Sequence, residues 1–147
     1  MELQITLTRD SVFAGVARRM EWQGTRGPLG QDEYGRVALS ESDRSLLHSL
    51  FDEAAIHAID LCRPFLTAAA NTDSALTLDI TLPADAEATG LPMAIENMVC
   101  SHVMAQWQEI ASPERAEASF AKRDDYASKA LAILYHHRAP CRIRVKG

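Results

Sequence analysis

The sequence predicts a mainly α fold: a helical bundle with three short amphipathic strands, in the order β-α-loop-α-β-α-α-β. Three observations lead there. Long stretches repeat apolar residues every three or four positions, the period of a half-buried helix. Three short stretches alternate apolar with polar residues, the period of a strand with one dry face. Between Gln23 and Leu39 neither period holds, and four of the seven glycines gather there.

Residues 2–8, ELQITLT, place Leu3, Ile5 and Leu7 on one face of a first strand. Asp10 or Ser11 is then positioned to cap a helix through about Trp22, with Val12, Phe13, Val16, Ala17 and Met20 on one side and Arg18 and Arg19 turned away. Residues 23–39 follow as a long loop. Ser40 and Asp43 match the S-x-x-D capping box of a second helix, whose stripe is Leu47, Leu50, Phe51, Ala54, Ala58, Leu61 and Phe65. Pro64 ends or kinks it. The alanine run and Asn71-Thr72-Asp73 then read as a turn.

ALTLDITL, residues 75–82, alternates again, with Leu76, Leu78, Ile80 and Leu82 inward, and Pro83 closes it. A helix from about Pro92 to Ala111 carries Ile95, Met98, Val99, Val103, Trp107 and Ile110 on one face. Ser112-Pro113-Glu114 starts another at once: serine caps, proline suits the first helical position, and glutamate complements the helix dipole. That helix runs to about His137 on a stripe of Ala116, Phe120, Ala127, Leu131 and Leu134. The two form either an antiparallel pair or one rod kinked at Pro113. After Pro140, Cys141, Ile143 and Val145 alternate with Arg142, Arg144 and Lys146 as a third strand. The strands form one small sheet or pair with strands of neighbouring subunits, because an unpaired edge is a template for association.

A length of 147 residues fits a single domain, residues 1–147, with the 23–39 loop and a C-terminal arm over 139–147. The hydrophobic fraction of 47% and charged fraction of 24% are ordinary globular values and favour neither disorder nor a fibrous class. Net charge is -5, so no overall attraction to nucleic acid follows. The end of the chain differs, with Arg138, Arg142, Arg144 and Lys146 and no acid beyond His136. This arm is suited to an acidic protein surface, a phosphate backbone or water. Cys62, Cys100 and Cys141 form no disulfide pattern, which favours a reducing compartment. No apolar run reaches the ~18 residues of a membrane span and no secretory leader pattern opens the chain, so the expected setting is cytoplasmic and not membrane-bound.

LYHHRAPC, residues 134–141, is the stretch nearest to a metal motif. A structural zinc site needs two closely spaced ligand pairs, whereas His136, His137 and Cys141 make one loose cluster. His48, His57 and His102 sit in different frames, and His57 and Cys62 are five residues apart, pointing in different directions on a helix. The favoured reading is a helix end whose His and Arg residues complement its dipole. Cys100 reads as a small hydrophobe, Trp107 and Phe120 as packing, and Asp52-Glu53 and Asp124-Asp125 as solvated helix faces. GTRGPLG lacks the G-K-[ST] ending of a phosphate loop. No cofactor and no catalytic residue is expected.

Function enters through a resemblance. From Leu39 onward the chain resembles the small head-to-tail connector proteins of tailed phages and prophages, helical adaptors beneath the portal. The likeness is carried by SESDRSLLHSLFDEAAIHAIDLCRPFL, then the strand ALTLDITLP, then the helix LPMAIENMVCSHVMAQWQEIASPE, in which Trp107 marks a similar helix end. The tail LYHHRAPCRIRV is similar to that of uncharacterised prophage proteins of gut bacteria. The resemblance implies a structural, non-enzymatic protein of the host cytoplasm or virion. It would form a homo-oligomeric ring contacting portal, capsid or tail proteins and continuing the DNA channel. Arg138, Arg142, Ile143, Arg144, Val145 and Lys146 are the candidate assembly contacts. The alternative is a small helical regulatory or nucleic-acid-binding protein that uses the basic tail on phosphates.

Overall fold

The computed structural model describes residues 1–26 and 44–135. The elements run β1 (Glu2–Thr8), α1 (Arg9–Arg26), α2 (Arg44–Cys62), a single 3-10 turn (Arg63–Phe65), β2 (Leu66–Asn71), β3 (Ala75–Thr81), α3 (Leu91–Ala111) and α4 (Pro113–Tyr135). The described chain is thus mainly helical with a small antiparallel sheet, as the sequence predicts.

The strand order is β1-β3-β2, so the strand made last lies in the middle. Register pairs Leu3 with Ile80, Ile5 with Leu78 and Leu7 with Leu76, which puts all the apolar positions on one face. A slip of one residue would turn them to solvent. Met1 extends the ladder by exchanging hydrogen bonds with Leu82: the Leu82 N–H donates to the Met1 carbonyl at 2.9 Å, and the Met1 amine to the Leu82 carbonyl at 2.8 Å. Leu76, Leu78 and Ile80 are fully buried, each contributing about 1.5–3 kcal/mol of transfer energy.

Helices α1 and α2 meet the sheet, and α3 packs against both from the other side. Every residue from Met98 to Ala105 is buried, so α3 is wrapped on all sides and is not amphipathic along this stretch. Helix α4 packs back along α3 as an antiparallel hairpin. Gln108 meets Ser119, His102 meets Arg123, and Gly90 lies against Ile133. The one-residue joint at Ser112 leaves room for nothing else, which settles the choice between hairpin and kinked rod.

Several expectations change. Helix α1 starts at Arg9, and its cap is neither Asp10 nor Ser11 but Thr8, whose hydroxyl accepts the Ser11 N–H at 3.2 Å. It continues to Arg26, into the stretch read as loop. Ile110 is 65% exposed although it shares a side with Val103, since among the described residues nothing covers that face of the last turn of α3, while Gln108 on another face of it is buried. Leu131 is exposed and Phe120 half-buried, because the buried face of α4 runs through Ala116, Ser119, Ala130 and Leu134. Leu131 is about 100° round the helix from Ala130.

The largest change is β2: the alanine run read as a turn is a strand. Alanine has little intrinsic preference for strands, but β3 offers a row of backbone donors and acceptors on its second edge, and Leu66 to Asn71 pairs with it. The turn shrinks to Thr72-Asp73-Ser74, where the Thr72 hydroxyl accepts the N–H groups of Ser74 and Ala75 at 3.3 and 3.2 Å. The Ser40/Asp43 capping box, most of the 23–39 loop and the 139–147 arm with its strand lie outside the described residues.

Candidate functional site

Arg9 follows directly on the inward face of β1, two residues after Leu7, so the strand period carries a guanidinium into the protein. It is 6% exposed. Its Nε donates to the Thr72 carbonyl at 3.0 Å. Nη1 donates to His48 Nδ1 at 3.0 Å and to the His48 carbonyl at 3.3 Å. Nη2 donates to Asp52 Oδ1 at 2.6 Å and Asn71 Oδ1 at 3.0 Å. Because arginine only donates, His48 Nδ1 carries the lone pair. The cation also lies 4.5 Å from the Phe51 ring centroid.

This cluster joins four places in the sequence: the β1-α1 junction, α2, the end of β2 and the β2-β3 turn. Burial raises the Asp52 carboxyl, but hydrogen bonds from Asn71 and Arg9 and the Arg9 charge outweigh it and hold the group below its ordinary value. An open cleft lies over Arg9, His48, Asp52, Asn71 and Asp73. All three guanidinium nitrogens are engaged within the chain, so the cluster is an anchor for the hairpin more than a place to hold a ligand.

What the anchor fixes is the outer edge of the sheet. From Thr67 to Asn71 every residue of β2 is exposed. Ala69 and Asn71 pair with Leu78 and Leu76 on the core side of the sheet, yet both are open to solvent, so β2 overhangs the helical layer. The register shift between Leu66 and Ala68 confines the irregularity to the start of the strand. Among the described residues no strand lies beyond β2. Its side chains are small enough for another backbone to approach closely.

The other candidate chemistries separate. Burial pushes the Cys62 thiol up to about 12 and the Cys100 thiol up to about 11, which removes the thiolate a nucleophile needs. His102 is buried against Arg123, whose Nη1 donates to its Nδ1 at 3.2 Å, and its ring centre lies 4.6 Å from that of His57. Trp107 is buried. Asp52-Glu53 and Asp124-Asp125 are exposed, as read, and Asp52 and Asp124 are in addition ion-paired at 2.6 and 2.9 Å with Arg9 and Arg123. Among the described residues no three His, Cys, Asp or Glu side chains gather as a metal site, and no helix is long and apolar enough to cross a membrane.

Arg138, Arg142, Ile143, Arg144, Val145 and Lys146, and with them His136, His137 and Cys141, lie outside the described residues. The sequence missed the Arg9 cluster and the β2 edge. For Arg9 a signal exists: the alternation Leu3, Ile5, Leu7 continues to it.

Fold and edge together define a mainly helical domain with a three-stranded antiparallel sheet open on its β2 side. No family model, no curated protein and no solved structure matches the chain.

Proposed function

We propose that the protein is a structural, non-enzymatic subunit of a phage or prophage head-tail junction, assembling as a ring between portal and tail in the host cytoplasm or virion. The observation that carries this reading is the exposed, alanine-rich outer edge of β2, held rigid at its end by Arg9. An unpaired edge recruits another strand through main-chain hydrogen bonds, which give affinity without a specific pocket. The resemblance of residues 39–147 to connector proteins points the same way.

A ring needs a head-to-tail contact between two different surfaces of each subunit. The sequence from Cys141 to Val145 alternates apolar with basic residues, the pattern of a strand that could complement such an edge. Added to β2 of the next copy, it would link subunits by strand exchange. Arg138, Arg142, Arg144 and Lys146 then give this arm charge for an acidic neighbour or for DNA in the channel.

Light scattering coupled to size-exclusion chromatography tests the proposal. The intact chain should self-associate, and both deletion of residues 139–147 and the edge charges Ala68→Lys and Ala70→Lys should return it to monomer with its helical content kept. A chain that stays monomeric at high concentration and ignores portal and tail proteins would overturn the reading.

A further inference from the structure

A second feature involves no residue of the sheet: a groove of about 280 Å³ where α1, α3 and α4 converge. Its polar lining is Arg18 and Arg19 from α1, Ser101 from α3, and Ser119, Lys122 and Tyr126 from α4. Among the described residues no carboxylate lines it. Glu96, on the same helix as Ser101, faces the Ser11 hydroxyl at 3.5 Å instead.

Arg19 is only partly satisfied within the described residues. Its Nη2 donates to Asn97 Oδ1 at 2.9 Å, a neutral partner that orients the guanidinium without cancelling its charge. Its Nη1 is buried and has no hydrogen-bond partner among the described residues. Leaving such a donor unsatisfied costs about 1–3 kcal/mol, so the guanidinium beside the groove keeps hydrogen-bonding capacity unspent. Arg18 and Lys122, both exposed, add two more cations from different helices, and neither forms an ion pair among the described residues.

We infer that this groove binds a phosphate group. A carboxylate presents two oxygens in one plane and is satisfied by one forked arginine. Three cations on two helices, Arg18 and Arg19 from α1 and Lys122 from α4, with the Tyr126 hydroxyl as a further donor, fit a tetrahedral group carrying more charge and more acceptor oxygens. The size agrees, since the groove falls below the roughly 300–1,000 Å³ of sites for drug-sized molecules. The phosphate belongs either to a small phosphorylated molecule or to a nucleic-acid backbone.

Titration of the full-length ¹⁵N-labelled protein at low ionic strength distinguishes these, with sodium phosphate, a nucleoside monophosphate, a short DNA duplex and sodium acetate as separate probes. Phosphate should shift the amides around Arg19, Ser101 and Lys122 to saturation. The double variant Arg18→Gln/Lys122→Gln, altered only at exposed positions, should weaken binding by about tenfold or more and keep its unfolding midpoint in phosphate-free buffer. A duplex that moves the same amides, with salt-sensitive affinity, identifies a nucleic-acid source. Binding of phosphate and the monophosphate without the duplex identifies a small molecule. Acetate binding equally well, silence with every probe, or undiminished binding in the double variant overturns the inference.

Discussion

Arg9 and Asp52 meet at 2.6 Å with very different exposures: the arginine side chain is 7% accessible and the aspartate 54%. The pair is therefore not a buried ion pair, and its strength lies in what else the arginine holds. Replacing Arg9 with Met keeps an apolar stem over Phe51 but removes the bonds to Thr72, His48, Asp52 and Asn71. The expected loss is about 2–4 kcal/mol in urea unfolding. Asp52→Asn, at a solvent-screened position, should cost less than about 1 kcal/mol. Equal costs for the two would show that the ion pair, and not the wider anchor, matters.

The same pair has a pH signature. The folded Asp52 carboxyl lies below its ordinary value of 3.8, so its contribution is present above that pH and is lost as pH falls through the lower folded value. Acid unfolding of Arg9→Met should lack this component. The comparison is made by unfolding curves taken below about pH 4.

His102 acts in a separate window. Burial first, then His57 and the Arg123 charge, bring its pKa from 6.5 down to about 4. Arg123 donates to Nδ1, so the neutral ring carries its proton on Nε2, which has no partner among the described residues. The unfolded chain takes up a proton near 6.5 and the folded chain does not. Stability is therefore full above that pH and declines as pH falls toward 4. Between pH 7 and pH 5 the decline is about 2 kcal/mol. His102→Leu should flatten the slope by that amount, and an unchanged slope would place the titration elsewhere.

The cases of Arg9, Ala69 and Ile110 show what the sequence could and could not reveal. Period-2 alternation marks β1 and β3 because each has one dry face, and it even points Arg9 inward. Partners were invisible, since His48, Asp52 and Asn71 are brought to Arg9 only by the packing of α2 and the hairpin. β2 gave no signal because it overhangs the helices, and an exposed strand needs no apolar alternation. Ile110 kept the helix period but outran its cover. Likewise, the groove cations Arg18 and Lys122 are over a hundred positions apart in the chain and read singly as surface charge.

Thiol reactivity provides a fourth check. With Cys62 and Cys100 buried and their pKa values near 12 and 11, neither should react with a disulfide reagent at pH about 8 while folded. In a Cys141→Ser background both should be protected in native buffer and titrate fully in denaturant. Fast labelling of one thiol in the native protein would identify an opening of the α1-α3 contact or of the end of α2.

That α1-α3 contact depends on Gly15, and it gives the last prediction a sign. A Cβ built at Gly15 would lie 3.5 Å from Cys100 Sγ and 3.8 Å from Arg18 Nη2, which is ordinary van der Waals contact. Gly15 is inside α1, where glycine is less favourable than alanine by roughly 0.5–1 kcal/mol because its unfolded chain is freer. Gly15→Ala should therefore stabilise the protein by about 0.4–1 kcal/mol in chemical denaturation. A larger side chain has no such room. Gly15→Leu must displace Cys100, whose thiol lies 3.9 Å from the Val12 carbonyl, and overpacking of this kind typically costs about 1–3 kcal/mol. Opposite signs for Ala and Leu would establish that the two helices touch at Gly15; destabilisation by Ala would mean that they pack closer than this geometry.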